Sequence, residues 1–343
     1  KESSAASDVY KRQIIYLKMG IKDLNKFITR FTPKAITKKT ISTFNGLTLA
    51  VDVSIFLYKY KYSNKLIHSF LQQYYHYKKN NIELIYIFDG KPPKEKEKIL
   101  ESRKNIQDKQ NNKVAALLEE KSKLTDENEI KIIDIKIKDA KKRCLSITKE
   151  DVNNVKKLFN ILGIKYIEHN CEADLVCAYL FKEGKVKGCI SNDMDFLPLG
   201  VGVLIRNYNL GDMVDIYNLD TIIEDSGMNY DEFVDFCILC GCDYTCTIPR
   251  LGFITAYKSI LKYKNIEAII ENLCVREKKY KLPEAFNFIS ARKLIKDTKV
   301  EDYKINNSDF KRNLDNEKVD MEFLLNNTKF SEVQISNRLK VIY

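Results

Sequence analysis

The sequence predicts an α/β protein built on a mostly parallel central sheet flanked by helices. Three observations carry that prediction. Residues 47–51 and 84–88 are short, compact apolar runs, interrupted only by Thr48, with the length and composition of strands buried on both faces. Residues 54–75 between them read as a helix rich in Tyr, Phe and Lys, and strand–helix–strand units join parallel strands by right-handed crossovers. Both runs also end on an acid, Asp52 and Asp89, at the carboxyl edge where open α/β sheets build their sites.

Taken in order, residues 1–18 show no periodicity and lack the apolar core of a signal peptide, so they read as a leader that need not be native. Residues 20–28 form a short helical stretch. After Asp89, Gly90-Lys91-Pro92-Pro93 breaks the chain. Residues 94–143 are dense in Lys and Glu and poor in large apolar side chains until Ile130. They read as a solvated helical hairpin or a mobile insertion; their length beside a site also suits a gate or arch over it. Helical periodicity returns at 149–162, and further strands are expected at 165–167, 186–190, 203–206 and 213–217.

Between them, Ala173, Val176, Cys177 and Leu180 recur at i, i+3, i+4 and i+7, so that segment is an amphipathic helix opening on Glu172 and Asp174, with Gly184 at its carboxyl cap. The strand that follows leads to Asp193 and Asp195, two residues apart and so on one face of an extended chain. Asn229 with Glu232 three positions on marks the capped start of a helix over 230–240, which runs into Gly241-Cys242-Asp243-Tyr244. The remainder, to Tyr343, is mostly helical and charged, and there is no internal repeat. The expected organisation is the leader followed by one domain over 19–343. That domain divides into an amino-terminal region (19–93), an insertion (94–148), an internal region (149–262) and a helical carboxyl-terminal region (263–343).

The 343 residues are 44% hydrophobic and 31% charged, ordinary for a soluble globular chain, and no apolar run reaches the roughly 18 residues that would span a bilayer. A net charge of +11 points to a polyanionic partner, with biased Lys, Asn and Ile usage as the plain alternative. Nine cysteines without a regular framework read as reduced, intracellular thiols. Cys237, Cys240, Cys242 and Cys246 cluster as an iron–sulfur or zinc site would, but three of them lie on the apolar end of a helix and read as core residues. None of the three histidines is spaced as a ligand pair, which argues against catalysis by His.

Seven acids then stand at distinctive places: Asp52, Asp89, Glu172, Asp174, Asp193, Asp195 and Asp243. Converging carboxylates repel one another unless cations neutralise them. Oxygen ligands without His or Cys suit Mg²⁺ or Mn²⁺. Two such ions about 4 Å apart can activate a water and stabilise a leaving oxygen in phosphodiester cleavage. A basic protein with such a pocket reads as a nuclease.

At these residues the chain resembles the flap endonucleases, a branch of the structure-specific 5′ nucleases. The matching motifs are Met19-Gly20-Ile21-x-x-Leu24, Val51-Asp52-x-Ser54, Phe88-Asp89-Gly90-Lys91-Pro92-Pro93, Cys171-Glu172-Ala173-Asp174, Asp193-Met194-Asp195 and Gly241-Cys242-Asp243-Tyr244, with Phe330-Ser331-Glu332 and Arg338-Leu339 near the end. They run in order from Met19 onward. The resemblance implies a PIN-like 5′ nuclease core with a helical arch and a helix–two-turn–helix region. It implies that Asp52, Asp89 and Asp174, with Glu172 directly or through water, hold one Mg²⁺ ion. By the same resemblance Asp193 and Asp195, with Asp243 through water, would hold a second, and Mn²⁺ could replace either. Lys96 and Arg103 match the basic pair at the base of the arch that steadies the scissile phosphate, and Tyr58 matches the aromatic on which the base beside the cut stacks. Arg143, with Lys141 and Lys142, lies near the arch's basic gateway. Gly20, near the active site, and Gly252, in the duplex-gripping hairpin, complete the expected DNA contacts.

The expected function is removal of 5′ flaps in DNA replication and repair, on branched DNA, by a monomer in the nucleus, with the mitochondrion as a second location. Departures from the family pattern keep alternatives open. Glu172-Ala173-Asp174 stands where flap endonucleases usually read Glu-Ala-Glu, and with Gly-Cys-Asp-Tyr it resembles the sibling 5′→3′ exonucleases. The segment between Asp52 and Asp89 is short and the arch long. Arg250-Leu251-Gly252-Phe253 replaces Gly-Ile-Gly-Pro, which leaves K⁺ binding there open, and no sliding-clamp peptide is visible before Tyr343. A catalytically idle DNA-binding module would gain only repulsion from the seven acids. Because the family's amino end lies close to the active site, deletion of residues 1–19 is expected to raise the initial rate of flap cleavage, and equal rates for the two forms would refute obstruction by the leader.

Overall fold

A computed structural model describes residues 20–206, 211–296 and 320–343, except for the side chains at 98, 99, 142 and 143. The expected leader and the Arg143 side chain therefore lie outside the described residues. Seven strands, Ile36–Thr40 (β1), Thr48–Asp52 (β2), Glu83–Phe88 (β3), Tyr166–Glu168 (β4), Cys189–Ile190 (β5), Val203–Arg206 (β6) and Met213–Asn218 (β7), form one sheet in the order β1-β7-β6-β5-β2-β3-β4. From β6 to β4 the strands are parallel; β7 and β1 add an antiparallel edge. The mostly parallel sheet is as expected.

The helices before the carboxyl-terminal half are Leu24–Phe31 (α1), Val53–Tyr62 (α2), Leu66–Lys79 (α3), Glu97–Ser122 (α4), Glu127–Arg143 (α5), Lys149–Ile161 (α6) and Ala173–Lys182 (α7). Leu219–Ser226 (α8), Tyr230–Cys240 (α9), Phe253–Tyr263 (α10), Ile266–Ile269 (α11), Phe288–Lys296 (α12), Met321–Asn327 (α13) and Glu332–Ile342 (α14) follow. Successive residues of a strand point to opposite faces, and β2 shows the result. Ala50 packs with α1, α7 and α9, whereas Leu49 and Val51 pack with α2, α3 and α6. Burial on both faces is why these strands read as compact apolar runs. The carboxyl-terminal helices divide between the layers: Ala291 and Ile295 of α12 join the first, and Leu324, Ile335 and Leu339 of α13 and α14 join the second.

Several elements differ from expectation, each for a local reason. The helix expected over 54–75 is two, α2 and α3, because Asn64 takes a left-handed backbone (φ 52°) between them. α1 starts only at Leu24, since its cap, Asp23, is left-handed as well. The strand expected over 186–190 narrows to β5, although Lys187 still donates to Thr48 of β2, and Ala50 of β2 donates to Gly188. β1 escaped notice: its Ile-Thr-Lys-Lys-Thr is almost wholly exposed, and only pairing with β7 makes it a strand. The capped start at Asn229 is as expected, with Asn229 Oδ1 accepting from the Glu232 amide (2.9 Å) and Glu232 Oε2 from the Asn229 amide (3.2 Å).

The 94–143 insertion is a helical hairpin. The 26-residue α4 rises about 39 Å at 1.5 Å per residue and packs against the 17-residue α5. Ile133, Ile137 and Ala140 bury one stripe of α5, while Ile132 and Ile135 stay exposed. Of the clustered cysteines, Cys237, Cys240 and Cys242 are buried and Cys246 is exposed. Among the described residues no helix is long and apolar enough to cross a membrane. Leu324 is fully buried against the layer that also holds α3 and α6, so Leu324→Ala is expected to lower the unfolding free energy by about 2–5 kcal/mol in urea titration. A cost below ~1 kcal/mol would show that the carboxyl-terminal helices do not belong to the common core.

Candidate active site

The carboxyl edge of the parallel strands gathers the acids. β2 ends on Asp52, which caps α2 through a 3.0 Å bond from the Ser54 amide and accepts from Ser191 Oγ at 3.2 Å. Asp89 follows β3; its Oδ1 accepts from the Ala173 amide at 2.8 Å and its Oδ2 from Ser54 Oγ. Gly90 lets this happen: a Cβ there would collide with the His169 carbonyl and lie 2.6 Å from the Asn170 carbonyl carbon, so only glycine admits the close crossing that brings Asp89 to the start of α7. Glu172 is the cap residue of α7 and Asp174 stands in its first turn, where the helix dipole favours negative charge. Asp193 follows β5 and accepts from the Asp195 amide at 3.0 Å, while its own amide donates to Ser191 Oγ at 3.1 Å. Asp243 enters from the loop after α9.

These groups share one electrostatic neighbourhood. Burial pushes the carboxyls of Asp52, Asp174, Asp193 and Asp195 up, as does that of Glu172. Their neighbours add to it: Asp52 faces Asp89, Asp193 and Asp174, and Asp195 faces Asp193 and Asp243. For Asp174, burial and then Glu172, Asp89 and Asp193 outweigh the nearby Lys96 and hold the carboxyl at about 7. Gly20 closes the cluster from above. It has φ +85°, and a Cβ on it would collide with Asp193 Oδ1 and stand 3.2 Å from Asp195 Oδ1.

The base of the hairpin supplies cations. Lys96 is buried, and its Nζ donates to Glu172 Oε1 at 2.7 Å; Arg103 Nη2 donates to Asp243 Oδ2 at 2.7 Å. Burial works against the Lys96 ammonium, but Asp174 and Glu172 outweigh it and hold it above the ordinary lysine range. Tyr58 is half-exposed, near Asp89 and Arg103. Gly252 caps α10 without any side-chain bond, and the space around it is open. Ser54, Ser191 and Tyr244, whose ring lies 4.9 Å from Lys96 Nζ, are site residues that the sequence reading did not assign. The signal for the two serines was their spacing two residues from Asp52 and Asp193.

Among the described residues no three Asp, Glu, His or Cys side chains are arranged to hold a metal ion. The chemistry of the donor set is nonetheless that of a divalent-cation site. The set is all oxygen, and two of its buried oxygens, Glu172 Oε2 and Asp195 Oδ1, have no hydrogen-bond partner among the described residues. Glu172 and Asp243 are turned instead to Lys96 and Arg103, which supply the positive charge the cluster requires.

Residues 19–110 match the XPG N-terminal domain and residues 163–243 the XPG I-region. Flap endonuclease 1 of Entamoeba histolytica is 34% identical over 94% of this chain and 87% of its own length. The chain belongs to the flap endonuclease family. Flap endonuclease 1 of Cryptosporidium muris is 32% identical over 93% of this chain and 71% of its own. The fold agrees with that of a flap endonuclease from Methanococcus jannaschii (TM-score 0.56, 24% identity, 90% of this chain and 96% of that one). It also agrees with the catalytic core of Rad2 in complex with a DNA substrate (TM-score 0.69, 16% identity, 94% and 100%). Within this family member, the two matched regions contain all seven acids as well as Lys96 and Arg103.

Folded, the Asp174 carboxyl is protonated below about 7, but unfolded only below about 3.9, so stability falls as pH rises between the two and the full cost of the charge stands above about 7. In metal-free protein, Asp174→Asn is therefore expected to raise Tm by several degrees at pH 8 and by less at pH 5. Divalent cation should raise the Tm of the parent more than that of the variant. Equal Tm for both proteins at pH 8 would mean that Asp174 bears no uncompensated charge.

Proposed function

We propose that this protein is a structure-specific nuclease that cuts branched DNA at the base of a 5′ flap by phosphodiester hydrolysis, with two Mg²⁺ ions as cofactors. The observation that carries the reading is the juxtaposition of seven carboxylates on the sheet edge with two cations from the base of a helical hairpin. Asp52, Asp89 and Asp174, with Glu172, would hold one ion, and Asp193 and Asp195, with Asp243, the other. Bound there, the ions supply an activated water and charge for the leaving oxygen.

The chain's own residues do the rest. Lys96 and Arg103, released from Glu172 and Asp243, face the scissile phosphate and offset the charge that develops on it. The half-exposed Tyr58 ring offers a stacking face for the base beside the cut. The open amides at the start of α10 take duplex phosphates, so affinity should fall as salt rises. The work belongs to replication and repair, which assigns the protein to the nucleus. Asp174 in place of the family's usual Glu favours one second reading, a 5′→3′ exonuclease acting through the same site.

On an end-labelled double-flap DNA with Mg²⁺, the protein is expected to release one intact flap, Asp195→Ala none, and Arg103→Ala to lower kcat about a hundredfold. A ladder of short products would move the assignment to the exonuclease. Bound but uncut DNA would make it a binding protein.

A further inference from the structure

Lys96 sits at the end of the short 3₁₀ turn Lys94–Lys96, and its ammonium is buried. A buried ammonium persists only with partners; beyond the field of Asp174, this one has two direct contacts of different kinds. One is Glu172, at 2.7 Å. The other is the face of Tyr244, 4.9 Å from Nζ to the ring centroid. The first partner is also a candidate metal ligand. Were Glu172 to turn to a bound cation, Lys96 would lose its one hydrogen-bonded carboxylate and gain a positive neighbour. An aromatic face attracts a cation through its quadrupole and takes no metal ligand away, so it can hold the ammonium through that exchange.

Tyr244 is suited to this. It is buried, and its hydroxyl has no hydrogen-bond partner among the described residues, so its place is set by packing and by Lys96. It adjoins Asp243, which pairs Arg103; the two consecutive residues thus serve the two cations at the base of the hairpin. We propose that Tyr244 is a positioning residue whose ring face keeps the Lys96 ammonium at the cleavage site when Glu172 is withdrawn. The inference rests on the nuclease reading above and deepens it.

The test replaces Tyr244 with Phe, 4-fluorophenylalanine and 3,4,5-trifluorophenylalanine, which keep the ring's size and weaken its face stepwise. The single-turnover rate on double-flap DNA is expected to hold in Tyr244→Phe and to fall about tenfold across the fluorinated series, with KM and Tm unchanged. In a Lys96→Ala background the same series should be flat. The ¹⁵N-detected ammonium resonance of Lys96 in metal-free protein should move with each substitution. A flat series with Lys96 present, an equal decline without Lys96, or the whole loss at Tyr244→Phe would each overturn the proposal. If the parent protein cuts nothing, the nuclease reading fails instead, and an unmoved Lys96 resonance would then overturn the ring contact on its own.

Discussion

Mutual repulsion among buried carboxylates is the constraint on which the rest of this structure depends. Asp52, Asp174, Asp193 and Asp195 lie deep at one edge of the sheet, each within the field of others. Water would separate and screen such charges, but a folded edge cannot. The arrangement holds because amides and hydroxyls are aimed at the acids: the Ser54 and Ala173 amides, and the Ser54 and Ser191 hydroxyls. Positive charge then comes from Lys96 and Arg103. A site built this way is held against its own electrostatics by the fold, and it is poised to accept cations.

Parallel strands suit that task. Register sets Asp52 opposite Ile87 and Val51 opposite Ile190, so the residues that follow, Asp89 and Ser191, emerge together at one edge. Two glycines then remove the steric barriers to convergence. Gly90 allows the β3 end to cross the Asn170–Cys171 backbone, and Gly20 brings its own backbone up against Asp193 and Asp195. One layer of the core supports the edge directly, since α7, which Glu172 caps, and the loop that carries Asp243 belong to the same packed face as Ala50 and Ile87.

The hairpin over this edge shows how one pair of side chains can serve two states. Lys96 and Arg103 bond carboxylates at 2.7 Å, a charge-assisted contact of ordinary strength. Were divalent ions to occupy those carboxylates, the same two side chains would become free charge at the base of the hairpin, next to the half-exposed Tyr58. Cation exchange would thus couple the filling of the pocket to the availability of phosphate-binding groups. Because Asp243 and Tyr244 are consecutive, a single loop after α9 governs both cations.

By itself the sequence determined six of the sheet's seven strands, most of its helices and the seven acids. Buried parallel strands must be apolar throughout, and a carboxylate at the end of such a strand breaks the pattern visibly. The Asn229 cap was legible for a similar reason, since its bonds join residues three apart. What escaped was set by distant partners. β1 is polar and gains its structure from β7, and the break at Asn64 depends on a left-handed backbone that many asparagines never adopt. The partition of the carboxyl-terminal helices between two core layers has no local signature. Only the tertiary structure decided that Lys96 pairs with Glu172 across 76 positions and Arg103 with Asp243 across 140. A lone Lys or Arg on a charged helix looks like any solvated side chain until the fold brings an acid to it.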